Sequence, residues 1–189
     1  MVLQKGEVVG LYIAAQGQRP KEGLRRAAMN PVDYVLAVAG FGLMGDRYYL
    51  NRLLGSYSKT ARIPDIFRQV TFMGMEDFEA GVLEMSGRMD IRETRRNIIT
   101  RGIDYRELKK KTIRIVSDSR TRRFAGFLTE EECTPCNIPD DGKLGFKEAF
   151  GSEWRGGVRA QVTKTGLVEM GYQVLVMDRK PGIITDAQQ

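Results

Sequence analysis

Val158-Arg159-Ala160-Gln161-Val162-Thr163-Lys164-Thr165-Gly166 is the stretch that best indicates the fold class of this chain of 189 residues. Its first five residues form a strand-like run with β-branched side chains, and Thr163 to Gly166 predict a tight turn. A second strand-like run follows at Tyr172-Gln173-Val174-Leu175-Val176-Met177. Two short strands separated by a turn are typical of a β-rich protein.

Similar runs recur along the rest of the chain, at Val8–Ala14, Tyr34–Val38, Phe67–Phe72, Arg96–Thr100, Thr112–Val116 and Arg122–Phe127. Helices are predicted at Glu76–Glu84, Lys143–Phe150 and Tyr105–Leu108. Because strands and helices do not alternate, a doubly wound parallel sheet is not expected. Many short strands with glycine-rich turns favour a mainly β protein, a β-barrel with a few short helices.

One domain is expected over residues 1–180, with a loose tail at residues 181–189. No apolar run approaches the roughly 20 residues that span a bilayer. The first residues have no charged region followed by an apolar core, so no secretory signal is expected. The two cysteines, three positions apart, would close too small a loop to act as a structural staple. These features together predict a cytoplasmic location.

The net charge is +6, and arginine outnumbers lysine by 20 to 10. The planar guanidinium of arginine binds phosphate in bidentate fashion, which suggests a phosphorylated small molecule or a nucleic acid as partner. Nucleic acid is the less favoured of the two, because no basic stripe is interleaved with aromatic residues. The chain has no histidine, which excludes Ser/His and Cys/His catalytic pairs.

Two segments carry residue types suited to an anionic ligand. In Gly42–Tyr48, glycine allows the backbone to approach a ligand, Asp46 could accept a hydrogen bond, and Arg47 could clamp a phosphate. In Arg68-Gln69-Val70-Thr71, strand alternation would place Arg68 and Val70 on one face, which suggests the mouth of a barrel or a capped pocket. A surface ion pair and an edge charge are the structural alternatives for these two segments.

A third segment is Arg95-Arg96-Asn97. If it is extended, Arg95 and Asn97 share a face and together suit a phosphate with an adjacent heterocycle, while Arg96 points the other way.

A fourth segment is the loop Cys133-Thr134-Pro135-Cys136. It is a weak zinc signal, because no second pair or histidine completes four ligands. It is also a weak thioredoxin signal, since no βαβ unit surrounds it. A reactive thiol and an ordinary loop cysteine both remain open interpretations.

Taken in order, these segments resemble the MOSC domain, which is shared with the C-terminal part of molybdenum cofactor sulfurases. The resemblance lies in Gly45-Asp46-Arg47, Arg68–Thr71, Arg95–Thr100 with Gly102-Ile103-Asp104, Pro135-Cys136 and Arg155–Val158, and covers about residues 8 to 178. It implies a β-barrel with a few helices that binds the molybdenum cofactor, a pterin with a terminal phosphate and a dithiolene-held metal.

The resemblance also implies roles for individual residues. Cys136 would carry persulfide sulfur or ligate molybdenum. The cofactor would be bound by Gly45, Asp46, Arg47, Arg68, Arg95, Asn97, Thr134 and Arg155. The chain departs from the family pattern at Tyr48, where histidine is frequent, at Arg96, where glutamate is common, and at Tyr172, where aspartate often follows glycine. Cys133 is additional, and it leaves open a disulfide or a sulfur shuttle with Cys136.

Three functions are consistent with this sequence. The first is an enzyme that depends on the molybdenum cofactor and acts in sulfur transfer or in the reduction of N-hydroxylated compounds. The second is a non-catalytic carrier of the cofactor or its sulfur, and the third is a basic barrel that binds nucleic acid. Because the sequence has no flavin, haem or iron–sulfur motif, the first function would need a redox partner protein or a sulfur donor.

Overall fold

The structure, a computed structural model, describes residues 1–14, 29–54, 68–85, 89–106, 108–117, 123–133, 146–151 and 154–178. The strands are β1 (Val2–Ile13), β2 (Asn30–Pro31), β3 (Tyr34–Val38), β4 (Gly42–Leu43), β5 (Val70–Gly74), β6 (Ile98–Arg101), β7 (Thr112–Val116), β8 (Ala125–Glu132), β9 (Val158–Lys164), β10 (Gly166–Glu169) and β11 (Gln173–Met177). The helices are α1 (Arg47–Leu54), α2 (Met75–Glu84) and α3 (Phe146–Gly151), with a 3-10 turn at Ile91–Thr94.

Seven strands close into a barrel in the order β11, β7, β8, β9, β5, β6, β1, and β1 pairs again with β11. Strand β2 extends this sheet at the end of β1. Closure pairs the edges that an open sheet would expose. The predicted class, a mainly β protein with a barrel and short helices, is confirmed.

Only one neighbouring pair among these barrel strands, β5 and β6, runs parallel. Parallel strands need a crossover connection, and α2 with the 3-10 turn supplies it. This crossover brings the start of β6 beside β5, with Ile98 opposite Phe72. The residues just before β6 therefore lie next to Thr71 and the end of β1.

The barrel interior is filled by aromatic and β-branched side chains. Phe72 and Phe127 are fully buried, with ring centroids 5.1 Å apart in an edge-to-face arrangement. Burial of each such ring contributes about 1.5–3 kcal/mol. A second cluster under α2 and α3 contains Met73, Ile99 and Phe150. These two cores fix the strands that carry the candidate site.

Strands β10, β3 and β4 form a separate three-stranded sheet. The tight turn predicted at Thr163–Gly166 is wrong, because only Thr165 separates β9 from β10, and β10 pairs with β3 instead of folding back on β9. Gly166 permits this path, since a Cβ there would lie 2.6 Å from Ala125 N.

The helix predictions have mixed outcomes. The helix at Glu76–Glu84 is confirmed as α2, and the predicted Lys143–Phe150 helix is confirmed over the described residues of α3. The short helix predicted at Tyr105–Leu108 is wrong: the described residues form a turn in which Leu108 N donates to Tyr105 O at 3.2 Å. The Tyr105 ring is instead fully buried in the barrel core.

The strand predictions match Tyr34–Val38 and Thr112–Val116 at both ends. No helix in the described part of the chain is long and apolar enough to cross a membrane. The predicted tail at residues 181–189 lies outside the described residues, and the single-domain boundary stays a prediction.

Candidate functional site

Asn97 is the centre of a hydrogen-bond network at one end of the barrel. It is 2% exposed and directly precedes β6. Its Oδ1 accepts from Thr71 N at 3.1 Å and from Thr71 Oγ1 at 2.9 Å. Its Nδ2 donates to Tyr12 O at 3.1 Å and to Asp46 Oδ2 at 3.2 Å. All four hydrogen-bonding positions of the carboxamide are thus used within the protein.

Asp46 is buried beside Asn97 and starts helix α1. Its Oδ1 accepts from Tyr48 N at 3.0 Å, and its carbonyl accepts from Leu50 N at 3.0 Å, which is N-cap geometry. Its Oδ2 also accepts from Ala14 N at 2.9 Å, at the end of β1. We call these residues together the Asn97 corner: Tyr12, Ala14, Asp46, Thr71 and Asn97.

The pKa of Asp46 is raised by burial, which disfavours the charged carboxylate. The amides of Ala14 and Tyr48, the charge of Arg47 and the Asn97 carboxamide act in the opposite direction. Gly45, directly before Asp46, has φ +85, a left-handed conformation that favours glycine. The segment Gly45-Asp46-Arg47 therefore forms a turn that delivers Arg47 to the first position of α1.

Arg47 is half-buried and bound to its neighbour Tyr48. Arg47 Nη2 donates to the Tyr48 hydroxyl at 2.9 Å, and Arg47 Cζ lies 4.7 Å from the centroid of the Tyr48 ring. Arg47 N also donates to Ala14 O at 2.8 Å, which fixes the backbone beside β1.

Arg95 and Arg68 flank the same corner along the chain. Arg95 is 8% exposed and left-handed at φ 60, so the strand alternation expected over Arg95–Asn97 does not apply. Arg68 is half-buried and lies two residues before β5, outside the strand in which it was expected to alternate with Val70. Arg95 lies two residues before Asn97 and Arg68 lies three residues before Thr71. Their predicted contacts with a cofactor stay predictions.

Arg96 connects this corner to Cys133. It is 5% exposed, and its guanidinium donates to three carbonyls: Nε to Gly156 O at 2.5 Å, Nη1 to Thr94 O at 2.8 Å and Nη2 to Cys133 O at 2.7 Å. Arg96, which was predicted to point away from the site, is thus a buried residue that links three backbone segments by hydrogen bonds.

Cys133 is a buried free thiol at the end of β8, and Gly156 and Gly157 hold its backbone. Cys133 N donates to Gly157 O at 2.8 Å. A Cβ on Gly156 would lie 2.2 Å from Cys133 O, and a Cβ on Gly157 would lie 1.8 Å from Phe72 O. The two glycines are required because the backbone passes this close. Thr134 and Cys136 lie outside the described residues.

Arg155, another predicted cofactor contact, forms an ion pair with Glu84 at the end of α2. Its neighbours are the glycines described above: Gly156 O accepts from Arg96, and Gly157 O accepts from Cys133 N.

These contacts join four of the five segments of the sequence resemblance. Hydrogen bonds link Asp46 to Asn97, Asn97 to Thr71, and Arg96 to Gly156. Among the predicted residues, Asp46 and Asn97 are in direct contact, with Gly45 and Arg47 beside them along the chain. The segment that contains Arg155 is joined through Gly156, whose carbonyl accepts from Arg96.

Sequence reasoning missed several residues of this network: Tyr12, Ala14, Thr71 as a partner of Asn97, Tyr48 as a partner of Arg47, and Arg96. One signal could have found Thr71, namely its place in the strand-like segment Arg68–Thr71, where a hydroxyl can form a hydrogen bond with a neighbouring strand. Tyr12 and Ala14 contribute backbone atoms to this network, and such contacts cannot be predicted from the residue type.

No group of three acidic or cysteine side chains that could hold a metal ion is found among the described residues. The one predicted metal ligand, Cys136, lies outside them.

No protein-family model and no curated protein matches the chain. Solved structures do. The YUAD protein from Bacillus subtilis is 20% identical, with a TM-score of 0.69 over 95% of this chain and 100% of that one. YiiM from Escherichia coli is 12% identical, with a TM-score of 0.56 over 95% of this chain and 72% of that one. YiiM from Geobacillus stearothermophilus is 14% identical, with a TM-score of 0.56 over 94% and 77%.

Identities this low show a shared fold alone. YuaD and YiiM are MOSC-domain proteins, and the likeness supports a MOSC-like fold for this chain.

Proposed function

We propose that the protein binds the molybdenum cofactor at the Asn97 corner and uses Cys136 as molybdenum ligand or as carrier of persulfide sulfur. The observation that carries this proposal is the set of hydrogen bonds that joins Asp46, Asn97, Thr71 and Gly156, from four segments far apart in sequence. The segments that carry the sequence resemblance are therefore close together in the fold, as residues that share one ligand must be.

The arginines beside this corner fit the phosphate of such a cofactor. A guanidinium has five N–H donors, and the Tyr48 hydroxyl is the one side-chain acceptor for Arg47 in the described part of the chain. Arg68 and Arg95 add positive charge nearby along the chain. Arg47, Arg68 and Arg95 are therefore the residues that would hold the phosphate, as charge-assisted hydrogen-bond donors.

The residues of the Asn97 corner position Arg47 at the start of α1. Asp46 fixes the start of α1 and the end of β1, and Asn97 holds Asp46. Because the Asn97 carboxamide is fully used, its contribution to binding is to orient Asp46. The backbone of Gly45 and the Thr134 and Arg155 side chains complete the proposed contacts.

Cys136 is the residue of this chain that would act chemically, through its thiolate. Arg96 fixes the Cys133 carbonyl, three residues before Cys136 in sequence. A thiolate is a soft ligand suited to molybdenum and a nucleophile suited to sulfur transfer. When bound, the cofactor supplies a redox-active metal held by sulfur. The proposed reactions are sulfur transfer and reduction of N-hydroxylated compounds, with a sulfur donor or a redox partner protein.

Metal analysis and pterin fluorescence test this proposal, on protein purified without oxygen from a host that makes the molybdenum cofactor. Wild type is compared with Cys136→Ala and with the matched control Cys133→Ala. We expect near-stoichiometric molybdenum and pterin in wild type and in Cys133→Ala. Loss of molybdenum in Cys136→Ala assigns Cys136 as ligand, and retention of both assigns it as sulfur carrier.

Absence of pterin and metal from all three proteins would contradict the proposal. Turnover of an N-hydroxylated substrate with a chemical reductant then separates an enzyme from a carrier, since a carrier binds the cofactor and shows no sustained turnover.

A further inference from the structure

We propose that Tyr48 is a positioning residue that presets the Arg47 guanidinium for a phosphate oxyanion. This inference rests on the proposed function for the place of the anion, and it adds a residue to which the sequence resemblance gives no such role.

Two contacts bind Arg47 to the same ring. Arg47 Nη2 donates to the Tyr48 hydroxyl at 2.9 Å, and Arg47 Cζ lies 4.7 Å from the ring centroid, within cation–π range. Both contacts involve the guanidinium, one through Nη2 and one through Cζ, so together they restrict its position beside the ring. An arginine held this way loses less conformational freedom when it binds an anion.

The contact is not a consequence of helix geometry. Residues i and i+1 of an α-helix do not face each other, yet Arg47 and Tyr48 are the first two residues of α1. The Arg47 side chain must therefore turn toward its neighbour. Tyr48 can serve as a fixed support, because its backbone N donates to the cap residue Asp46 at 3.0 Å.

In the part of the chain that the structure describes, the Tyr48 hydroxyl is the one hydrogen-bond partner of the Arg47 guanidinium. Within the described ranges, no carboxylate lies within ion-pair distance of Arg47. The neighbouring carboxylate of Asp46 accepts from Ala14, Tyr48 and Asn97 instead. A guanidinium with a fixed orientation and few internal partners suits a tetrahedral oxyanion such as a phosphate monoester.

Calorimetric titration with inorganic pyrophosphate at low ionic strength tests the inference. The variants are Tyr48→Phe, which keeps the ring and removes the hydroxyl, Tyr48→Leu, which removes both contacts, and Arg47→Met. Tyr49→Phe is the matched control, because Tyr49 is the next residue of α1 and its ring lies 5.9 Å from the Phe41 ring.

We expect the Kd to rise about 3-fold in Tyr48→Phe and about 10-fold in Tyr48→Leu, the range expected for releasing one restrained side chain. It should rise further in Arg47→Met and stay unchanged in Tyr49→Phe. The salt dependence separates the roles: Tyr48→Phe keeps the wild-type slope of log Kd against log salt because the charge remains, whereas Arg47→Met reduces it.

Two results would overturn the inference, and they are distinguishable. If both Tyr48 variants bind pyrophosphate with wild-type affinity and Arg47→Met binds it more weakly, Tyr48 has no positioning role. The proposed anion site at Arg47 is then unaffected. Equal pyrophosphate affinity in wild type and Arg47→Met would show that Arg47 does not bind the anion. That result contradicts both this inference and the phosphate contact of Arg47 in the proposed function. If Tyr48→Leu lowers the Tm, its affinity also reflects a disturbed fold, and the Kd of Tyr48→Phe decides the test.

Discussion

Asn97 Nδ2 lies 3.2 Å from Asp46 Oδ2, and this contact ties the start of β6 to the start of α1 across 51 positions of sequence. Asp46 in turn accepts from Ala14 N at the end of β1. One buried amide thus sets the relative place of three chain segments.

Replacing Asn97 with alanine should lower the free energy of unfolding by about 3 kcal/mol. The change leaves Thr71 N and Oγ1, Tyr12 O and Asp46 Oδ2 without this partner, and each unsatisfied buried group costs about 1–3 kcal/mol, part of which relaxation recovers. Urea unfolding measures the effect, and Asn30→Ala, at an exposed position in β2, is the control. A loss below about 1 kcal/mol would show that the network is not maintained in solution.

Arg96→Met should destabilise the protein by a similar amount, about 3 kcal/mol, because it leaves the carbonyls of Thr94, Cys133 and Gly156 without their donor. Arg96→Lys should recover part of the loss, since an ammonium can reach fewer of the three carbonyls at once. Chemical unfolding of both variants checks this order.

The control for Arg96 is Arg106→Met. Arg106 is 61% exposed and pairs with Asp104 on the surface, where an ion pair contributes little. An equal loss in the Arg96 and Arg106 variants would contradict a structural role for Arg96.

Gly157→Ala should prevent stable folding or cost more than about 3 kcal/mol, because the added Cβ would lie 1.8 Å from Phe72 O at φ +78. Gly171→Ala provides the comparison. Gly171 has nearly the same φ, +79, with no atom within 4 Å of the added Cβ, so it should cost only about 1 kcal/mol of backbone strain. Thermal unfolding distinguishes them, and similar Tm values in the two variants would refute the close approach at Gly157.

The barrel could be predicted from sequence because its strands carry their own signal. In Thr112–Val116 the first four residues alternate half-buried and buried side chains, and the predicted bounds agree with β7. The prediction missed helix α1 because it interpreted Asp46 as a ligand contact or as part of a surface ion pair, although an aspartate directly before a helix is also a typical cap. Both interpretations use the same residue, and sequence alone does not separate them.

The site could be predicted in part. The four linked segments were identified from sequence, but the roles within them were not. Asn97 was expected to face a ligand by strand alternation, and the left-handed Arg95 breaks that alternation. The partners of Asn97 include the backbone carbonyl of Tyr12, 85 positions away. Contacts of this kind arise from the closure of the barrel, so no local pattern encodes them.

The stability of the protein should fall as pH rises from about 4 to about 6, because of Asp77. Its pKa is raised to about 6, first by burial and then by the charges of Asp104 and Glu76, against the opposing charges of Arg106 and Arg155. In the unfolded chain the pKa of an aspartate is about 3.9. Between these values the folded state holds a proton that the unfolded state has released, so the free energy of unfolding decreases with pH.

Asp77→Asn should therefore raise stability at pH 7.5 and flatten this pH dependence. The gain should be about 1 kcal/mol, since Asp77 is half-buried and solvent screens part of its charge, which corresponds to a Tm increase of about 3 °C. The substitution also removes the favourable interaction of the Asp77 carboxylate with the N-terminus of α2, which opposes the gain by about 0.5 kcal/mol. Glu148→Gln, an exposed carboxylate in the first turn of α3, is the control and should not raise the Tm. A lower Tm for Asp77→Asn at pH 7.5 would show that the helix-terminus interaction outweighs burial and the neighbouring acidic charges.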